Sequence, residues 1–201
     1  MSSRLKQSDF IGVWQRESLS VEKGEAYEDS NVLWLLAGDY YADLRWPKPG
    51  EDQVEPSAFA GRAYWNSPRM QFDHEIDMTN EFSQDVGTLV LSNGKLIEHG
   101  EIVIEGNTIR FEEVWVQLDK SETHNCQVAR KSGKNSFGYI VRVSQYAIAM
   151  EETGDSFNAG AWKYENNGWA SLFGIGSSDF LASMLLSLNT KSLPLYWQII
   201  I

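Results

Sequence analysis

Cysteine, histidine and basic charge are all scarce in this chain of 201 residues. A lone cysteine, Cys126, excludes an internal disulfide and a cysteine-based structural zinc site. It sits in "SETHNCQVARKSGKNS", a polar stretch that reads as an exposed loop carrying an ordinary thiol of a reducing compartment. The histidines are His74, His99 and His124, and no two have the spacing of adjacent ligands on one strand or helix, so no metal site is expected. His99, in "IEHGE", reads as a surface turn.

Glycine-rich phosphate loops, a nucleophile elbow and paired cysteine motifs are absent, and the sequence names no cofactor. The first residues, "MSSRLKQSDFIGVW", lack an apolar core segment, so no secretory signal is expected. "DFLASMLLSLNTKSLPLYWQIII" holds two apolar runs split by "NTKS", each too short to cross a bilayer, and a cytoplasmic location is the simplest expectation. Seventeen basic residues against 28 acidic ones leave a net charge of −11, which repels phosphate backbones and anionic lipid. Nucleic acid and membrane surfaces are therefore excluded as partners, and a small neutral or cationic molecule or a protein is expected instead.

Apolar and aromatic residues are plentiful: 42% of the chain is hydrophobic and eight residues are tryptophan. The dominant periodicity is two, broken at short intervals by turn residues, which is the pattern of an all-β antiparallel meander. "FIGVWQRESL" reads as a first strand, and "NVLWLLAGDYYADLRWP" as two strands broken at Gly38-Asp39. The second of these sets Tyr40, Ala42, Leu44 and Trp46 against Tyr41, Asp43 and Arg45. "PKPGEDQVEPS" is a loop. Strands then recur through "TIRFEEVWVQLD", with hairpin signals at Asn93-Gly94 and Gly106-Asn107.

Residues 120–136 form a polar linker, the point of sub-division within a single domain spanning 1–201. Beyond it, "SSDFLASMLLSL" is the one clear helix, apolar nearly all round and suited to packing on the sheet or plugging a barrel. "LPLYWQIII" reads as a last strand, whose edge offers a place for a protein partner or a second copy of the chain.

Gly12-Val13-Trp14 at the start of the first strand, followed by a meander with a late helix, resembles the lipocalin and wider calycin group. The resemblance implies a barrel whose tryptophan closes one end, with a late-strand arginine, here Arg142, packed across it. The usual Thr-Asp-Tyr signature has no counterpart. The segments "FAG", "EIDM", "DVGTL", "RFEEVWVQLD" and "YIVRVSQYAIAMEE" are similar to a fungal lipocalin-like family, best known from a yeast protein named for its interaction with a casein kinase. That likeness implies two barrel-like halves and carries over no catalytic residues.

The stretch "RMQFDHEIDM" sharpens the search for a site. Alternation puts Met70, Phe72, His74, Ile76 and Met78 on one face, and leaves Asp73, Glu75 and Asp77 as solvated charges on the other. In "TIRFEEVWVQL" Phe111, Glu113 and Trp115 share a face, so an inward-looking pair of His74 and Glu113 is the candidate acid/base or ligand contact. Satisfying two buried polar groups is the plain alternative.

An aromatic cavity lined by Trp46, Tyr64, Phe72, Phe111 and Trp115, with Arg62 or Arg142 as anchor for an acidic group, suits a small hydrophobic ligand. An isomerase or cyclase using His74 and Glu113 in the same cavity is the second reading. A protein-interaction module with a filled barrel is the third.

Overall fold

The computed structural model describes residues 5–80, 84–104, 106–121, 125–190, 193–194 and 196–201. Eight antiparallel strands follow one another around a closed barrel: β1 (Gly12–Val21), β2 (Ser30–Ala37), β3 (Tyr40–Pro47), β4 (Ser57–Asn66), β5 (Arg69–Asp77), β6 (Gln84–Ser92), β7 (Lys95–Ile104) and β8 (Asn107–Lys120). Pairing of β8 back onto β1 closes the wall and removes both free edges. Tight turns set the register. In the β6–β7 hairpin Asn93 and Gly94 both have positive φ, 51° and 79°, the geometry that this dipeptide favours.

The remainder is an open sheet of six strands in the order β13-β12-β11-β10-β9-β14. Its members are β9 (Cys126–Gly133), β10 (Ser136–Val143), β11 (Tyr146–Thr153), β12 (Ser156–Glu165), β13 (Gly168–Ile175) and β14 (Trp197–Ile199). The second half is thus a sheet and not a second barrel. Helix α1 (Asp179–Thr190) lies on the face of this sheet remote from the barrel, where Leu181, Met184, Leu185 and Leu188 pack on Ala129, Ile140, Ala147, Ala149, Trp162 and Trp197. The alanines leave the helix room to approach the strands closely.

Three apolar layers follow from this order. The barrel interior holds Trp14, Val32, Trp34, Leu36, Tyr41, Ala63, Met70, Phe72, Leu89, Leu96 and Trp115. Between barrel wall and second sheet lie Leu33, Leu35, Ala42, Leu44, Ala58, Ala60 and Ile76 from one side and Val128, Tyr139, Val141, Ile148 and Met150 from the other. The third layer is the one beneath α1. Strand β2 and the parts of β3 to β5 beneath the second sheet are therefore buried on both faces, and in β2 the run Val32–Ala37 is apolar without alternation for that reason.

Two sequence expectations fail in this frame. The polar segment around Cys126 is strand β9 and not an exposed loop; the thiol is buried against the inter-sheet core, and burial raises its pKa to about 11. His99 lies within β7 rather than at a turn; its exposed ring is 3.4 Å from Glu112 on the outer wall. His124 lies outside the described residues. No helix among the described residues is long and apolar enough to cross a membrane.

Candidate functional site

One end of the barrel is stoppered by the segment before β1. Gln7, in a single 3-10 turn, donates to the carbonyls of Gly38 and Ala63 at 3.1 and 2.9 Å and accepts from the Trp65 amide at 3.0 Å. Phe10 packs on Trp65 with ring centroids 4.7 Å apart, and Trp14 Nε1 donates to the Phe10 carbonyl at 2.8 Å. Below this stopper Trp34 contacts Trp14, Phe72 and Trp115 at centroid distances of 6.0, 5.6 and 5.6 Å. These rings fill the interior instead of walling an aromatic cavity. Two hollows among the described residues lie elsewhere, one beside the stopper at Leu5–Gln7 and Trp65–Ser67, the other on the second sheet at Asn125, Gln127 and Arg142.

Toward the opposite end the inward face becomes charged. On β3 it is Tyr41, Asp43 and Arg45 that face in, while Ala42, Leu44 and Trp46 face out into the core under the second sheet. Arg16 from β1 binds two acids, Glu28 at 2.8 Å and Glu113 at 2.5 Å, with all three side chains nearly inaccessible. Arg45 binds Asp43 at 2.8 Å and stands 3.9 Å from Glu113. Burial raises the Asp43 pKa, and the neighbouring Arg45 only partly offsets it. Buried ion pairs of this kind add little net stability but are costly to break, because removing one partner strands the other charge.

His74 completes the cluster through an irregularity in β5. The β4–β5 register slips between Ala60 and Gly61, so that Gly61 pairs with His74 and Ala60 with Ile76, leaving Glu75 as the extra residue of a β-bulge. A Cβ on Gly61 would stand 1.9 Å from the Asp73 carbonyl, so this crossing requires glycine. One added residue reverses the alternation beyond it. Ile76 turns outward to the inter-sheet core, and Asp77 turns inward and meets His74 Nδ1 at 2.7 Å.

The three acids of this strand are consequently not a solvated row. Asp77 is buried with His74 and Thr79, Glu75 reaches across to Arg130 at 2.6 Å and the Tyr139 hydroxyl at 2.8 Å, and only Asp73 stays near the surface, bonded to Gln71 and Gln84. His74 Nε2 lies 3.4 Å from Asp85, and its ring stacks on Phe59 at 4.5 Å with planes 5° apart. Burial opposes a charged imidazole, yet the hydrogen bonds and charges of Asp77 and Asp85 prevail and raise the pKa to about 9. His74 is thus protonated at neutral pH.

Glu98 differs from the other acids. Register sets it directly opposite Glu113 on β8, and its carboxylate fills the space that a side chain at residue 87 would occupy, 2.0 Å from the Cβ position of Gly87. It is buried, and no hydrogen bond or ion pair holds it among the described residues. Burial, then the charges of Glu113 and Asp85, push its pKa well above the ordinary value. Phe111 shares the inward face of β8 with Glu113 and lies over Gly100, where a Cβ would meet the ring at 2.0 Å. The cluster opens to solvent where the Arg45 and Asp85 side chains are 30% and 41% exposed.

Of the residues that the sequence nominates, Phe72, His74, Phe111, Glu113 and Trp115 share the barrel interior. His74 and Glu113 are not joined by any hydrogen bond or ion pair among the described residues, because Asp77 and Arg16 claim them. Trp46, Arg62, Tyr64 and Arg142 do not line the interior. Trp46 stacks on Phe173 of the second sheet at 5.6 Å, Arg62 lies over Tyr40 and Tyr64 on the outer wall, and Arg142 lies 5.4 Å from the Trp169 ring rather than across Trp14. Sequence reasoning missed Arg16, Asp43, Arg45, Asp77, Asp85 and Glu98. For all but Asp77, which the bulge turns inward, the signal is a charged residue in phase with inward apolar ones, as Arg16 is with Trp14 and Glu98 with Leu96.

Among curated proteins none matches the chain. Among solved structures it is similar to the crystal structure of the uncharacterized protein YLR301w from Saccharomyces cerevisiae, with a TM-score of 0.68 and 15% identity over 83% of this chain and 86% of that one. At that identity the likeness extends to the fold alone. The family model described as Protein HRI1 matches residues 12–193, nearly the whole of the barrel and second sheet, and the chain belongs to that HRI1 family.

Proposed function

We propose that this protein is a small-molecule-binding barrel that takes a largely hydrophobic ligand at the charged end of its interior. The observation that carries this reading is where unsatisfied polarity falls. Among the described residues, the buried polar side-chain atoms without a partner include Asp85 Oδ1 in the charged cluster and Trp115 Nε1 on the same inward face as Glu113, and the buried Glu98 between them has no hydrogen bond or ion pair. Buried polar groups are ordinarily paired, and unpaired ones beside a charged cluster that opens to solvent suit polar contacts from outside the chain. Phe59 and Phe111, half-buried around the same cluster, supply apolar contact for the ligand's body.

Binding is favoured over acid/base catalysis by His74 and Glu113. A general base must be unprotonated and within reach of its proton, whereas His74 holds its proton up to about pH 9 and Glu113 is engaged by Arg16. Native mass spectrometry of protein purified from its own host, with an absorption spectrum of the same sample, tests the reading. A bound species of discrete mass, lost when Phe111 is replaced by Lys, is expected. A bare polypeptide mass under conditions that preserve known weak complexes would count against it.

A further inference from the structure

We propose that the ligand's head is a cationic nitrogen, an ammonium or amidinium group, and that Glu98 receives it. This rests on the reading above that the charged end of the barrel is a binding site. Each interior cation is already committed: Arg16 to Glu28 and Glu113, Arg45 to Asp43, and His74 to Asp77 and Asp85. Those three cations cover five carboxylates, and Glu98 is a sixth with no hydrogen bond or ion pair among the described residues, only the more distant charge of Arg45 acting on it. It is 7% exposed, and its register partner across β7–β8 is another glutamate.

Like charges directly opposite one another on a sheet are unfavourable, and more so away from water. A neutral ligand leaves that repulsion in place, an anionic one adds to it, and a cationic one relieves it. Gly87 supports the same assignment, since it makes the space in which the carboxylate sits. The Trp115 indole, two residues from Glu113 on the same inward face and 2% exposed, has no acceptor for its N–H among the described residues. Beside a cationic head the ligand therefore presents a neutral oxygen, a hydroxyl or carbonyl. The aromatic neighbours Phe59 and Phe111 suit the flank of an ammonium group as well as an alkyl chain.

Calorimetric titration and thermal shift with hexylamine, hexanol and hexanoate, on the wild type and on Glu98→Gln and Gly87→Ala, decide the matter. Gln keeps the shape of Glu98 without its charge, and a methyl at residue 87 pushes the carboxylate aside while keeping its charge. The expected result is saturable binding of hexylamine but not hexanoate, weakened at least tenfold by Glu98→Gln and also weakened by Gly87→Ala. If hexanol or hexanoate binds as tightly as hexylamine and Glu98→Gln changes nothing, the cationic assignment is overturned while the binding site stands. If none of the three binds, and Glu98→Gln only makes the fold more stable, both readings fall and Glu98 is a carboxyl kept neutral by its own proton.

Discussion

Replacing His74 by Phe keeps the stack on Phe59 and removes the positive charge between Asp77 and Asp85. The imidazole pKa is raised from 6.5 to about 9 in the fold. A group whose folded pKa is raised stabilises the fold fully below its unfolded pKa and loses that contribution as pH rises through the folded value. The ceiling, at about 1.4 kcal/mol per pKa unit, is roughly 3.4 kcal/mol. The cluster is open to water at Asp85, so screening brings the expected figure down to about 2 kcal/mol.

The assay is urea denaturation of wild type and His74→Phe in parallel across about pH 6 to pH 10, reading the difference in unfolding free energy so that groups common to both cancel. Wild type should lead by about 2 kcal/mol more at the acid end than at the alkaline end. A difference that stays constant to within about 0.5 kcal/mol would show that His74 is not held as an imidazolium by the two aspartates, and the account of the cluster would be wrong.

Other outcomes follow from the packing. Tyr139→Phe removes the hydroxyl that donates to Glu75 across the barrel–sheet boundary, and denaturation should show a loss of about 1–2 kcal/mol; no loss would mean that Arg130 alone secures Glu75. Leu185→Ala, beneath α1, should destabilise by about 2–5 kcal/mol with the barrel's tryptophan fluorescence unchanged below the transition. Cys126, buried and with its pKa near 11, should react slowly with a thiol reagent at mildly alkaline pH and rapidly once urea unfolds the chain; equal rates would place the thiol at the surface.

The meander was legible because turn residues and alternation are local signals. Asn93-Gly94 and the Gly38-Asp39 break stand where the sequence puts them, and so does α1. Sidedness was not legible. On β3 the apolar set faces the second sheet and the polar set faces the barrel interior, and alternation alone cannot tell which of two buried faces is which. The bulge at Glu75 was equally hidden, since one extra residue depends on the partner strand, and it exchanged the places of Ile76 and Asp77. Five residues of the candidate site came from correct phase on β5 and β8. The arginines and Glu98 were overlooked because charge on an inward face runs against the usual reading of a barrel strand.

The most direct measurement is a crystal structure of the protein grown with saturating hexylamine. The alkyl chain should lie against Phe59 and Phe111, with the nitrogen within hydrogen-bond distance of the Glu98 carboxylate. A barrel end without the amine, or the amine seated only in the hollow at Gln7 and Trp65 or on the second sheet, would contradict it.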